Sequence, residues 1–340
     1  MAIIKKKKIP FLIKEPLRDF LIKYNRYIEI PLHYKDLLRY ENEIPLYDKD
    51  GNDTLWKTVF FSQSDMPPIY ENLKQIYAFL KASGNVSVMK HLYIDRVDLC
   101  TYGNTQPFRV RVVNKINDNF DYFYIKNADA SRIYGLELED ILSPNAVGYL
   151  VHKKTLIEEH IAGVPGDQFI REYLGDYKIN KTRIGKEFVK FNERCFVRLL
   201  GDMHSSNFVV VLTPDFEETS YRLRAIDFDQ QSYEGRKSIF MPQYFKQNNP
   251  IIKLGMDAMT PETVKQYQIE ERSLIANRFI ASKNRMDKLL KAMKVDTISL
   301  PENIVNLRTE LATHYRTKAF ERCDNMGDIL ELSLKLLFKN

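Results

Sequence analysis

The sequence predicts an α+β fold in two parts, a small strand-rich lobe followed by a larger and mainly helical one, with a mixed extension in front. Three observations predict it. Short runs of alternating apolar and polar residues, parted by polar turns, fill residues 89–160. Apolar stripes of helical period dominate the remainder, and a chain of 340 residues is too long for most single cores. The boundaries that follow are an extension over residues 1–88, a strand-rich lobe over 89–160 and a helical lobe over 161–340.

In the extension, Leu17, Phe20, Leu21 and Tyr24 recur at helical spacing, as do Leu73, Ile76, Tyr77 and Leu80, and Ala82-Ser83-Gly84-Asn85 ends the second helix. Between them the polar turn Asp48-Lys49-Asp50-Gly51-Asn52-Asp53 leads into Leu55–Phe61, a strand. Those aspartates lack the terminal glutamate of an EF-hand loop, which argues against calcium. Tyr93–Leu99 is the next strand and is followed by a turn at Tyr102–Thr105. Phe108, Val110 and Val112 then alternate with Arg109 and Arg111, as in a half-buried strand. Asn117-Asp118-Asn119 turns the chain into Tyr122–Lys126. Asn127-Ala128-Asp129 caps a helix over Ser131–Leu142, closed by Pro144. Strands at Gly148–His152 and Thr155–His160 flank a lysine pair. Beyond them, Ile184–Leu199 is a helix with Phe188, Phe191, Cys195, Phe196 and Leu199 on one stripe. Pro261–Met293, Pro301–Phe320 and Met326–Phe338 read the same way.

Composition narrows the class. A hydrophobic share of 44% with 12% aromatics excludes wholesale disorder, and a net charge of +6 is too weak a field to indicate nucleic acid. The 20 Tyr and 20 Phe are read as packing residues, because no stretch interleaves aromatics with basic residues as a nucleic-acid surface would. Lys5 to Lys8 read as a solvated terminus. Phe11-Leu12-Ile13 is interrupted by Lys14 and Glu15 before a signal core is complete. No run approaches the roughly 18 apolar residues of a membrane span. Cys100, Cys195 and Cys323 are odd in number, far apart and without zinc-ligand spacing, which fits reduced thiols in a cytoplasmic protein.

The chemistry-bearing residues lie in two segments, Leu199–Phe208 and Ala225–Asp229. Asp202 precedes Asn207 by five residues, and Asp227 follows after a Val209–Leu212 strand, a polar turn at Thr213–Thr219 and a Tyr221–Ile226 strand. Such a hairpin brings two carboxylates and a carboxamide to one rim. Phosphoryl transfer asks for those parts: a carboxylate beside the acceptor hydroxyl, a carboxylate and an amide oxygen on magnesium, and a lysine on the nucleotide phosphates.

Gly201-Asp202-Met203-His204-Ser205-Ser206-Asn207 resembles the H-G-D-x-H-x-x-N loop of the protein-kinase-like superfamily, in its aminoglycoside phosphotransferase and choline kinase branch, with Leu200 in place of the first histidine. Ile226-Asp227-Phe228-Asp229 resembles the I-D-[FW]-[ED] metal segment of that branch. The resemblance implies a two-lobed protein-kinase-like fold that binds ATP and Mg2+. It makes Asp202 the catalytic base or hydroxyl-orienting residue, Asn207 and Asp227 magnesium ligands and Asp229 an auxiliary ligand, with His204 bracing the loop. Leu156–Gly163 is similar to the family's hinge, where the carbonyl of Glu159 and the amide of Ile161 would pair with adenine. Lys126 looks like the phosphate-binding lysine. Its glutamate partner is sought on the next helix, where Glu137 shares the face of Ile133, Tyr134 and Ile141 and Glu139 points away.

The chain also departs from that pattern. The turn at Tyr102–Thr105 has one glycine and no G-x-G-x-x-G loop. There is no A-P-E segment, and the stretch from Asp229 to Pro242 is short, which argues against an ordinary protein kinase. The expectation is transfer of the γ-phosphate to a hydroxyl-bearing acceptor, a small molecule being favoured. The rivals are a protein-modifying kinase or an adenylyltransferase of the same fold, and a nucleotide-binding pseudokinase scaffold. The resemblance leaves residues 1–88 unassigned, a surface open to a protein partner.

Overall fold

The alternating runs assemble into an antiparallel sheet. The computed structural model describes residues 8–101, 105–176, 179–214 and 219–339. The turn expected at Tyr102–Thr105 therefore lies outside the described residues, except for Thr105. Lys5 to Lys7 and the centre of the Thr213–Thr219 turn lie outside them too. Two compact units divide the chain, one of residues up to 129 together with 147–160, the other of residues 130–146 and those from 161 onward.

The first unit contains helices α1 (Glu15–Lys23), α2 (Tyr34–Leu37) and α3 (Met66–Ala82), and strands β1 (Asn42–Tyr47), β2 (Asp53–Phe60), β3 (Leu92–Cys100), β4 (Phe108–Asn114), β5 (Phe120–Asn127), β6 (Tyr149–His152) and β7 (Thr155–Glu159). The strands form one seven-stranded sheet in the order β1-β2-β3-β4-β5-β7-β6, and every neighbouring pair is antiparallel. Phe108, Val110 and Val112 lie in one core cluster with Phe123, Ile125 and Ile157, and the same cluster takes in Leu37 of α2 and Ile69, Leu73 and Ile76 of α3. Burial of these apolar faces is the main force that joins the helices to the sheet. Residues before 89 are thus part of this body: β1 and β2 continue the sheet, and α2 and α3 share its core.

Arg109, at an alternate position of β4, stacks 4.3 Å from the Trp56 ring and 5.0 Å from the Tyr122 ring. Its guanidinium donates to the fully buried Asp98 at 2.8 Å. One edge of the sheet is β1, which carries Pro45. At the other edge, β6, the amide of Val151 donates to Arg26 O at 2.7 Å and its carbonyl accepts from Ile28 N at 3.2 Å. Lys8, read from sequence as part of a solvated terminus, is buried instead, with Nζ 2.7 Å from Asp129 Oδ2. The opposite charge of Asp129 makes that burial tolerable.

The second unit contains α4 (Ala130–Leu142), β8 (Val164–Pro165), the single turn α5 (Gly166–Gln168), α6 (Lys181–Val197), β9 (Phe208–Pro214), β10 (Thr219–Ala225), α7 (Asn249–Ala258), α8 (Pro261–Ala281), α9 (Lys283–Lys294), α10 (Pro301–Tyr315) and α11 (Met326–Lys335). The predicted stripe of α6 is buried through Ile184, Phe188, Phe191, Cys195 and Phe196. Gly185 lets α7 approach: a Cβ there would stand 3.1 Å from the Cα of Gly255. Arg194 binds Glu187 at 2.7 Å, Glu271 of α8 at 3.4 Å and the carbonyl of Leu223 in β10 at 3.3 Å, so one guanidinium fastens three elements. The long helix expected over Pro261–Met293 is interrupted at Ser282, whose ψ of 21° leaves the helical range. The break lets α9 bury Met286, Leu289, Leu290 and Met293 on its own axis. No helix of the described residues is long and apolar enough to cross a membrane. Cys195 and Cys323 are buried thiols, pushed up to about 12 and about 11 by desolvation.

Candidate functional site

Asp202 sits where the chain leaves α6, in a segment tied to the loop after β10. Leu199 N still donates back to Phe196 O at 3.2 Å, but Leu199 O accepts from Ser232 N at 2.8 Å, Gly201 N donates to Gln230 O at 3.2 Å and Asp202 N donates to Ile239 O at 3.0 Å. Gly201 fits because a Cβ would meet Gln230 O and Ile239 Cγ2 at 3.1 Å. Asp202 itself has φ of 62°, a left-handed conformation that aspartate tolerates better than branched residues and that a tightly bonded loop can impose. From there the chain closes on itself. His204 N donates to Asp202 O at 2.9 Å, Asn207 N donates to His204 O at 2.9 Å, and Asn207 Nδ2 donates to Asp202 O at 2.8 Å.

The hairpin of β9 and β10, paired from Phe208 with Ala225 to Pro214 with Thr219, returns the chain beside this loop. Ile226 N donates to Asn207 O at 3.0 Å, which fixes the start of the acidic segment against the loop. Within that segment Asp229 N donates to Asp227 Oδ1 at 3.0 Å. Arg132 of α4 donates through Nη1 to Asp227 Oδ1 and to Asp229 Oδ1, both at 2.8 Å. Ser131 Oγ donates to Gln231 O at 2.6 Å. Gly135, one turn along, allows the helix this close, since a Cβ would stand 3.0 Å from that of Phe228. Sequence reasoning missed Arg132 because it searched this helix for a carboxylate. The signal it passed over was a basic residue one helical turn before a glycine, among apolar neighbours.

The Asp202 carboxyl is pushed up to about 7, first by desolvation and then by the negative charges of Asp227, Glu234 and Asp229. Desolvation lowers His204, against the pull of Asp227 and Asp167. Nδ1 of His204 accepts from Ser206 N at 3.3 Å, a contact within the loop. Whether magnesium suits these residues can be judged from the donors. Asp227 and Asp229 offer hard carboxylate oxygens, and Asn207, whose amide nitrogen is spent on Asp202 O, has its oxygen as the other polar atom. Desolvation is the larger cause of the raised Asp202, and the lesser one, the neighbouring negative charges of Asp227, Glu234 and Asp229, is what a cation would relieve. The donor set fits the ion. Among the described residues, however, no group of three or more His, Cys, Asp or Glu stands ready to hold a metal.

In the first unit, Lys126 at the end of β5 is buried and pairs with Glu158 of β7, Nζ to Oε2 2.7 Å. The sequence looked for that partner on the following helix at Glu137; the carboxylate that meets the lysine comes from the neighbouring strand, where Tyr124 and Glu158 are in register. The Glu159 side chain pins β6 to β7 by accepting from Gly148 N at 2.6 Å, and also meets Lys81 at 3.3 Å. Its amide donates to Gly148 O at 2.9 Å.

Ile161, in the second unit, is buried. Glu137 is fully buried and accepts from Arg285 of α9 at 2.6 and 3.1 Å. Glu139, expected to point away from the buried face, is buried as well and pairs with Arg198. A helical wheel could not separate the two, because α4 is enclosed nearly all round.

No protein-family profile matches the chain, and no curated protein matches it. Among solved structures it is similar to the autoinhibited serine kinase domain of the giant muscle protein titin, at 12% identity over 72% of this chain and 93% of that one, with a TM-score of 0.29. It is also similar to titin kinase with its flanking domains, at 12% identity over 73% of this chain and 55% of the other, with a TM-score of 0.26. At such TM-scores the likeness carries no argument about activity, and the functional reading rests on the residues above.

Proposed function

We propose that the chain is a phosphotransferase of protein-kinase-like type, which moves the γ-phosphate of ATP to a hydroxyl-bearing acceptor. One observation carries the reading: Asp202, Asn207 and the Asp227–Asp229 segment are locked together by the 2.8 Å bond from Asn207 Nδ2 to Asp202 O and the 3.0 Å bond from Ile226 N to Asn207 O. Chain order and geometry therefore agree with the parts that this chemistry requires.

In the reaction the acceptor oxygen attacks the γ-phosphorus as the bond to the β-phosphate oxygen breaks and ADP departs. Asp202 orients the hydroxyl and takes its proton, a role suited to a carboxyl whose affinity for protons is raised to near neutrality. Asn207, Asp227 and Asp229 would hold magnesium, which neutralises charge on the phosphates when bound. Asn207 keeps the Asp202 carbonyl fixed, so the catalytic carboxylate does not drift as the acceptor enters. Lys126 and the main chain at Glu159 and Ile161 are assigned to the nucleotide through the resemblance. A small-molecule acceptor is favoured by the short sequel to Asp229.

Incubating the chain with γ-labelled ATP, Mg2+ and a cell extract, followed by mass spectrometry, tests the proposal. A labelled product gaining phosphate supports it, and the product's size separates small-molecule from protein acceptors. A product gaining adenylate points to adenylyl transfer. Asp202→Asn should lower transfer by about 10²- to 10⁴-fold while stabilisation by ATP–Mg2+ persists. Undiminished transfer by that variant would remove Asp202 from the chemistry. Thermal stabilisation by ATP–Mg2+ with no product of any kind would favour the scaffold reading.

A further inference from the structure

Arg132 presents a fixed cation to the two carboxylates that the proposed function gives to a divalent one. Its side chain is 2% exposed, and a single nitrogen, Nη1, lies 2.8 Å from both Asp227 Oδ1 and Asp229 Oδ1. Nη2 reaches Ile226 O at 3.4 Å. The guanidinium carbon lies 6.0 Å from the Phe228 ring centre, so the charge is held over the segment as well as at its ends. Ser131 on Gln231 O and Gly135 against Phe228 hold the same turn of helix to the same loop.

We propose that Arg132 is a built-in competitor for the divalent cation. It keeps Asp227 and Asp229 paired and offsets one of their two negative charges in the absence of metal and nucleotide, and it lowers their affinity for metal alone. This inference rests on the metal role given to those residues above. The physical reason is direct. Lone pairs of Asp227 Oδ1 and Asp229 Oδ1 that accept from Nη1 are not available to a metal, and a divalent ion beside a guanidinium is repelled. Bound metal must therefore displace Arg132 or share the carboxylates at a cost. Nucleotide phosphates would lower that cost by bringing their own oxygens to the ion, so metal is admitted together with nucleotide rather than before it.

A purely structural arginine makes the opposite forecast for one measurement. If Arg132 merely satisfied buried carboxylates, its loss would loosen the segment and weaken metal binding. Competition requires that its loss strengthen it. The test uses the full chain without nucleotide, titrated with Mn2+ by electron paramagnetic resonance and with Mg2+ by calorimetry. Arg132→Met should bind Mn2+ about tenfold more tightly than the wild type, or better. Should Arg132→Met not fold, Arg132→Lys retains a charge without the planar bridge and should tighten binding by a smaller but measurable factor. Wild type that binds metal, with neither variant binding it more tightly, overturns the inference and leaves the proposed function standing. Absence of metal binding by every form, with ATP present or not, removes the metal role itself and the competition with it.

Discussion

The side-chain amide of Asn207 donates to the main-chain carbonyl of Asp202 at 2.8 Å, so the residue given to the metal also holds the residue given to the acceptor. The two roles can be separated by chemistry. Asn207→Asp retains an oxygen for the cation, loses the N–H and sets a carboxylate against a carbonyl. Transfer should fall by about 100-fold with metal binding retained, because misplacing a reacting group has costs of that order. Equal losses of metal binding and transfer would show that the bond to Asp202 contributes little.

Asp202 makes stability depend on pH when metal is absent. Its folded value is raised to about 7, so the protonated carboxyl suits the fold. The contribution is complete below the ordinary aspartate value and is lost as pH rises through 7. In EDTA, raising pH from 4.5 to 8 should cost the wild type more stability than Asp202→Asn, the difference being on the order of 2 to 4 kcal/mol. Urea midpoints at the two pH values measure it. Parallel curves for the two proteins would count against the strained carboxylate.

Lys126 and Glu158 form a buried pair in the first unit, with 10% and 6% of their side-chain surfaces exposed. Lys126→Met should destabilise by about 3 to 5 kcal/mol because Glu158 loses its charge partner in a poorly solvated place. Adding Glu158→Gln should recover much of that stability and, on the proposed assignment of Lys126 to the nucleotide, no affinity for ATP. A double-mutant cycle by chemical denaturation and by ATP titration distinguishes the structural from the functional part.

Gly135 governs how closely α4 approaches Phe228. In Gly135→Ala the new methyl meets Phe228 Cβ at 3.0 Å and Gln231 Cβ at 3.1 Å, contacts that demand a shift of the loop. The expected loss is about 1 to 3 kcal/mol. Because that loop carries Asp227 and Asp229, the bridge to Arg132 should loosen, which hydrogen exchange at Asp229 N would detect. Unchanged exchange and stability would mean that the helix yields instead.

Local periodicity made the sheet readable: Phe108, Val110 and Val112 announce β4 without reference to any distant residue. The hairpin between Asn207 and Asp227 was legible for the same reason, as strand, polar turn and strand in sequence. Arg132, Glu158 and Arg194 were not legible, because their partners lie 95, 32 and 77 residues away and a charge carries no address. Glu137 and Glu139 show a related failure. Helical faces discriminate where one side meets water, and α4 is buried on nearly every side. The interruption at Ser282 escaped notice since neither glycine nor proline marks it.

The two margins of the seven-stranded sheet are guarded by different means. Pro45 withholds an amide from the outer row of β1, and the chain at Arg26 and Ile28 occupies Val151 in β6. An unguarded margin is a template on which a second chain can add a strand. Cutting the protein back past Ile28 would uncover Val151 in β6, so expression of shortened forms should end in aggregates growing from that strand.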